Sequence, residues 1–154
     1  MGLMSISIRH KQFPLELLQV RQQLLAHFQP LFNHFGVTEQ QWRILRVLSE
    51  RDGIEPKALC LVCQILSPSM VGILRRMEEL SMVRREPLES DKRRMRIYLG
   101  EHGHKLLNEL GPLVDEQYEY IEEAYGLHTI EALGKALDML ADVKHVDVKR
   151  VELP

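Results

Sequence analysis

A mainly α-helical fold carrying one small β-hairpin is predicted by three features of this chain. Hydrophobic residues recur at helical spacing over most of its length. Over residues 83–99 the spacing changes to period two, with Met95, Ile97 and Leu99 alternating with Arg94, Arg96 and Tyr98. Just before that hairpin runs a helical pattern whose apolar face (Met70, Ile73, Leu74, Met77, Leu80) is backed by the small or cationic Ser69, Gly72, Arg75 and Arg76. A helix followed by a two-stranded ribbon tipped with arginines describes a winged helix-turn-helix, here flanked by N- and C-terminal dimerisation helices.

The elements follow in order. Residues 1–12 are expected to form a partly ordered arm. Leu15, Leu18, Leu25, Phe28, Leu31, Phe32 and Phe35 mark a long amphipathic helix ending at Gly36, with Pro30 expected to bend it. Thr38 caps a second helix with Gln41 placed for a capping box, and Trp42, Leu45 and Leu48 give it a core face. Asp52-Gly53 stops it, and Ile54 is expected to pair with the wing. A third helix spans about Glu55 to Gln64, with Leu59 and Val62 facing inward. Ser67 as N-cap and Pro68 at the first helical position open the fourth.

Val83 to Glu86 forms the first wing strand, halted near Pro87, and Leu88 to Arg94 forms a charged hairpin tip. Gly100 or Gly103 opens a helix carrying Leu106, Leu107, Leu110, Leu113, Val114, Ile121 and Ala124, kinked at Pro112 and broken at Gly126. Ile130, Leu133, Leu137, Leu140 and Val143 define the last helix.

This arrangement suggests a DNA-binding lobe at 38–99 and a helical dimerisation region formed by 12–36 plus 101–146. The lobe can close its own small core. The outer helices retain long apolar faces that a second copy would cover, and burial contributes about 25 cal/mol per Å². A two-fold homodimer would set two recognition helices about 34 Å apart on successive major grooves, implying a pseudo-palindromic site in double-stranded DNA.

Charge supports the same reading. The formal net charge is −2, yet residues 75–96 hold 8 of the 20 Lys and Arg. Residues 101–154 hold 5 basic against 12 acidic side chains, so a cationic working surface opposes an acidic end. No stretch approaches the ~18 apolar residues of a membrane span, and the N-terminus lacks an apolar signal core. With two cysteines in C-x-x-C spacing and no disulfide framework, a cytoplasmic location without membrane association is expected.

Several segments resemble the MarR family of bacterial regulators across nearly the whole chain. Asp91-Lys92-Arg93 matches its wing signature. Leu74-Arg75-Arg76-Met77-Glu78 and Met82-Val83-Arg84-Arg85 are similar to its passage from recognition helix to wing, and Leu99…Gly103 to its post-wing turn. Ser81 stands where glycine is usual, and Gly100 where threonine is usual. These departures predict a missing left-handed helix cap and a weakened N-cap. Leu18-Gln19-Val20-Arg21, Thr38 to Ile44, and Leu66-Ser67-Pro68-Ser69 with Gly72-Ile73-Leu74 further resemble the branch repressing homoprotocatechuate (4-hydroxyphenylacetate) catabolic operons. A fatty-acid-efflux regulator branch shares these segments. The resemblance implies a repressor released by a small aromatic acid, or a regulator of an efflux or resistance operon.

The candidate DNA-contacting residues are Ser67, Ser69, Arg75 and Arg76 for the major groove and Lys92, Arg93 and Arg94 for the wing; the resemblance places Arg93 in the minor groove. Arg75 or Arg76 could instead pair with Glu78 or Glu79. Asp91 is assigned to orienting a wing arginine, Arg85 being the candidate. Arg21, Trp42 and His10 are candidate effector-binding residues: a guanidinium holds a carboxylate bidentately and an indole stacks on an aromatic ring. The competing readings are an exposed or dimer-bridging arginine, a core tryptophan and a surface histidine. Cys60 and Cys63 read as small apolar residues or as a thiol switch. Zinc requires four ligands that the spacing does not supply, so no metal is expected. Neither a catalytic constellation nor a cofactor motif is evident.

Overall fold

A computed structural model describes residues 10–143 and 146–153. Most of the expected N-terminal arm lies outside the described residues. The element order is α1 (Phe13–Phe35), α2 (Glu39–Glu50), α3 (Pro56–Cys63), α4 (Ser67–Glu79), β1 (Val83–Leu88), β2 (Asp91–Leu99), α5 (Glu101–Tyr125) and α6 (Leu127–Asp142). The chain divides into two compact units, one ending at Asp115 and the other beginning at Glu116.

In the first unit, α2 is the central helix, packing against α1, α3, α4 and β2. The expected capping box fixes its start: Gln41 N donates to Thr38 Oγ1 at 3.1 Å and Thr38 N to Gln41 Oε1 at 3.0 Å. Ile44, Leu45, Leu48, Leu59, Met70, Leu74, Met77 and Ile97 form a fully enclosed core, each side chain contributing about 1.5–3 kcal/mol by burial. Phe28 and Phe32 of α1 are buried too, and Phe32 lies 6.2 Å from the Trp42 ring. Pro30 sits inside α1, and Pro112 inside α5, without ending either helix.

The wing is an antiparallel pair with Val83 opposite Leu99 and Arg85 opposite Ile97. Ile54 adds a third, one-residue rung: Ile97 N donates to Ile54 O at 2.8 Å and Gly53 N to Ile97 O at 3.0 Å. Asp52 Oδ1 accepts from Leu99 N at 2.8 Å, fastening the end of β2 to the loop after α2.

The structure corrects several local expectations. The α4 cap is Leu66, in extended conformation, with Ser67 already helical and making no side-chain cap bond. Pro68 then falls in the second helical position, where its missing N–H is equally harmless. β1 runs through Pro87 to Leu88, since an edge strand tolerates proline. The tip is only Glu89-Ser90, so Lys92, Arg93 and Arg94 stand on β2. Val62 is exposed, and Cys63 turns inward in its place.

Ser81 takes the left-handed conformation (φ 55°) despite being serine. Ser81 N donates to Glu78 O at 2.9 Å and Met82 N to Met77 O at 2.8 Å, the paired bonds of a Schellman end. The left-handed cap is therefore present.

In the second unit, Gly126 (φ 88°) separates α5 from α6. No residue of α6 is buried: Ile130 and Leu133 are half-buried, while Leu137, Met139, Leu140 and the following Val143 are exposed. Leu15 and Leu18 are likewise exposed on α1.

Candidate functional site

The outer face of α4 comes first. Ser67, Ser69, Val71, Gly72, Arg75 and Arg76 are all exposed, while Met70, Leu74 and Met77 hold the opposite face in the core. The candidates Ser67, Ser69, Arg75 and Arg76 thus share one surface. Val71, which the sequence reading passed over, joins Ser67 and Arg75 at four-residue spacing. An apolar residue outside the 70, 73, 74, 77 series was its signal. Arg75 Nε lies 3.5 Å from Glu79 Oε1 and Arg76 Nη1 3.1 Å from Glu79 Oε2. Both arginines are well exposed, so these pairs hold little energy and yield readily to a stronger anion.

On the wing, Arg93 is 95% exposed. Asp91 Oδ1 accepts from Arg93 N at 3.1 Å and lies 3.6 Å from Arg93 Nε, so Asp91 orients Arg93 and not Arg85. Arg85 Nε is 2.8 Å from Glu78 Oε2 of α4, an ionic contact without hydrogen-bond alignment. Arg94 reaches back to Glu55 with both Nε and Nη2, and this carboxylate raises the guanidinium pKa. Lys92 is exposed and has no carboxylate partner among the described residues. Arg84 lies over the Tyr98 ring at 4.7 Å and pairs with Glu86.

The effector candidates are not brought together. Arg21 donates to Glu39 Oε1 at 3.3 Å. Glu39 also binds Arg43, which in turn reaches the Cys63 carbonyl at the end of α3. Arg21 is therefore part of a carboxylate-centred tie between α1 and α2, not a lone charge. Trp42 is buried against Phe32, as the core reading expects, whereas His10 is exposed.

Cys60 and Cys63 are both free thiols. Burial pushes the Cys63 thiol up to about 11, with Arg43 opposing the shift only in part. Cys60 is half-buried and lines a cavity of about 520 Å³ between α3 and α4. Among the described residues, no group of three or more His, Cys, Asp or Glu could hold a metal ion. No single described helix is long and apolar enough to cross a membrane.

A basic, solvent-facing helix beside a cationic hairpin is suited to binding a polyanionic duplex. Comparison with known proteins agrees with that geometry. Residues 35–94 match the sequence model of the MarR family. The HTH-type transcriptional regulator FarR of Neisseria gonorrhoeae is 37% identical over 136 residues, covering 88% of this chain and 93% of that protein. The homoprotocatechuate degradative operon repressor of Escherichia coli is 33% identical over 129 residues, covering 84% of this chain and 87% of its own length. The crystal structure of NadR in complex with 4-hydroxyphenylacetate is 36% identical, with TM-score 0.78 over 92% of this chain and all of that one.

Proposed function

The chain belongs to the MarR family of transcriptional regulators, and on that premise we propose that it is a homodimeric repressor of an aromatic-acid catabolic operon, released by a small aromatic carboxylate. The observation carrying the DNA-binding half is the shared exposure of Ser67, Ser69, Val71, Arg75 and Arg76 on α4, beside a wing presenting Lys92 and Arg93. Serine hydroxyls and arginine guanidinia hydrogen-bond base edges and phosphates, and the Val71 methyls fit a thymine methyl.

The exposed apolar side chains of α1 and α6 support pairing of two chains. Phe13, Leu15, Leu17, Leu18 and Val20 on one element and Leu137, Met139 and Leu140 on the other stand in water in the single chain. Covering them is favourable, and stable interfaces bury about 1,600 Å². A two-fold pair then positions both recognition helices for a pseudo-palindromic operator.

The aromatic effector is supported by the similarity to a homoprotocatechuate operon repressor and to a 4-hydroxyphenylacetate-bound regulator. In this chain Arg21 is the cation for such a carboxylate. Glu39 holds it in the free protein, and an incoming carboxylate competes for the same guanidinium. Release demands tighter effector binding to a DNA-incompetent arrangement; a tenfold preference corresponds to about 1.4 kcal/mol.

The test is titration of 4-hydroxyphenylacetate into the protein bound to DNA from upstream of its own gene, with sedimentation to establish its mass. A dimer that binds, and releases on adding the acid, is expected. Arg21→Ala should still bind DNA but no longer respond. A monomer at micromolar concentration, or no duplex binding in dilute buffer, would overturn the reading. An Arg21→Ala protein responding at the same acid concentration would remove that residue from effector binding.

A further inference from the structure

Most cations on the proposed DNA face are already paired in the free protein. Arg75 and Arg76 share Glu79, Arg84 has Glu86, Arg85 has Glu78, Arg93 has Asp91 and Arg94 has Glu55. Two cations outside the expected set have no carboxylate partner among the described residues: Lys57 on α3 and Arg96 on β2. They line the same cleft of about 400 Å³, together with Gly53, Glu55, Ala58 and Leu61. Arg96 is half-buried, and its Nε is sealed from solvent with no hydrogen-bond acceptor. A buried donor without an acceptor is costly and calls for one from outside the chain.

We infer that Lys57 and Arg96 form a seat for a DNA phosphate between α3 and the wing. The cleft carries one acidic residue, Glu55, whose carboxylate is engaged by Arg94, and Glu86, opposite Arg96 on β1, pairs with Arg84, so neither carboxylate is bonded to Lys57 or Arg96. Lys57 also lines the neighbouring cavity that reaches Ser67 at the start of α4. It thus stands between the element offered to the major groove and the one offered to the minor groove. The backbone joining those two grooves must pass there, and the helix preceding a recognition helix commonly crosses the backbone. A phosphate contact made there fixes the register of both readers without reading sequence itself.

This inference rests on the DNA-binding reading, and its test separates the two. Because the contact is to backbone, a mixed-sequence duplex of about 25 base pairs suffices, with affinity measured by fluorescence anisotropy from about 20 to 200 mM salt. The wild-type protein should bind with a steep salt dependence. Lys57→Gln should reduce the slope of log affinity against log salt by about one, Arg96→Gln by about one, and the double variant by about two. Lys57→Arg should keep the slope. Lys105→Gln on α5 makes the same change in net charge outside the cleft, and should leave the slope unaltered.

Lys57 is exposed, so its substitution tests the site even if Arg96→Gln perturbs the wing. A wild-type slope in Lys57→Gln, with wild-type DNA binding intact, overturns the phosphate seat alone. Equal slope losses in Lys57→Gln and Lys105→Gln also overturn it, because general charge would then account for the effect. Failure of the wild-type protein to bind any duplex at low salt overturns both readings.

Discussion

Glu55 and Arg94, 39 residues apart, are joined by a two-pronged ion pair that ties α3 to the second wing strand. This pair holds Arg94 against the protein and places a carboxylate on the face that should meet phosphate. Removing that carboxylate frees one cation and deletes one anion. Glu55→Gln is therefore expected to strengthen duplex binding several-fold at low salt, by anisotropy. Arg94→Gln should weaken it less than Arg93→Ala does. Weaker binding by Glu55→Gln would instead mean that wing placement outweighs the charge it costs.

Arg93 is the opposite case. Its backbone N–H is held by Asp91 while its guanidinium projects into solvent. The side chain is aimed but barely restrained, as suits an arginine entering a narrow minor groove. Arg93→Ala should weaken binding to all duplexes and lower the salt slope by about one. Asp91→Ala should lower affinity too, by loosening the aim, but leave the slope near its original value. Affinity unchanged across a salt series in Arg93→Ala would exclude the wing from binding.

What the sequence made legible was local. The Thr38–Gln41 capping box, the alternation of β2 and the 70, 73, 74, 77 face of α4 each depend on neighbours within four residues. What it hid was long-range. Arg94 finds Glu55, and Arg21 finds Glu39, 18 residues away; nothing in either residue's surroundings in sequence identifies the partner. In α3, eight residues make about two turns, too few for spacing to decide between Val62 and Cys63 as the inward position. The outer helices differ again: their apolar periodicity is legible in the sequence, and Leu137 and Leu140 are exposed within a single chain, as expected of faces that a lone chain does not cover.

The buried Cys63 bears on the thiol-switch reading. A thiol raised to about 11 by burial is protonated at pH 8 in all but about one molecule in a thousand. Native protein should thus be alkylated by iodoacetamide at Cys60 and not at Cys63, as read by mass spectrometry. The linkage has a definite sign. The folded pKa lies above the ordinary 9.0, so the folded state retains a proton that the unfolded chain loses. Stability is unaffected by this group below pH 9 and falls between pH 9 and about 11, by roughly 2–3 kcal/mol in total. The stability difference between wild type and Cys63→Ala, from urea melts, should therefore shrink over that window. A difference independent of pH would contradict the assignment.

The junction between α4, the wing and α5 brings the two unusual residues into contact. Gly100 N donates to Met82 O at 2.9 Å and His102 N to Ser81 O at 3.0 Å, drawing the start of α5 onto the left-handed turn. A Cβ built on Gly100 would stand 2.2 Å from the Ser81 carbonyl oxygen. That oxygen belongs to backbone and cannot swing aside, so Gly100→Ala must push α5 away from the turn. A loss of about 2–4 kcal/mol in urea melts is expected, the range of severe overpacking. Ser81→Gly acts in the other direction, because a positive φ strains serine and not glycine. It should stabilise the protein by up to about 1 kcal/mol, and it should do nothing for Gly100→Ala, whose clash is with a carbonyl that every residue at position 81 carries. Full rescue of Gly100→Ala by Ser81→Gly would show that the junction relaxes freely. The steric account of Gly100 would then fail.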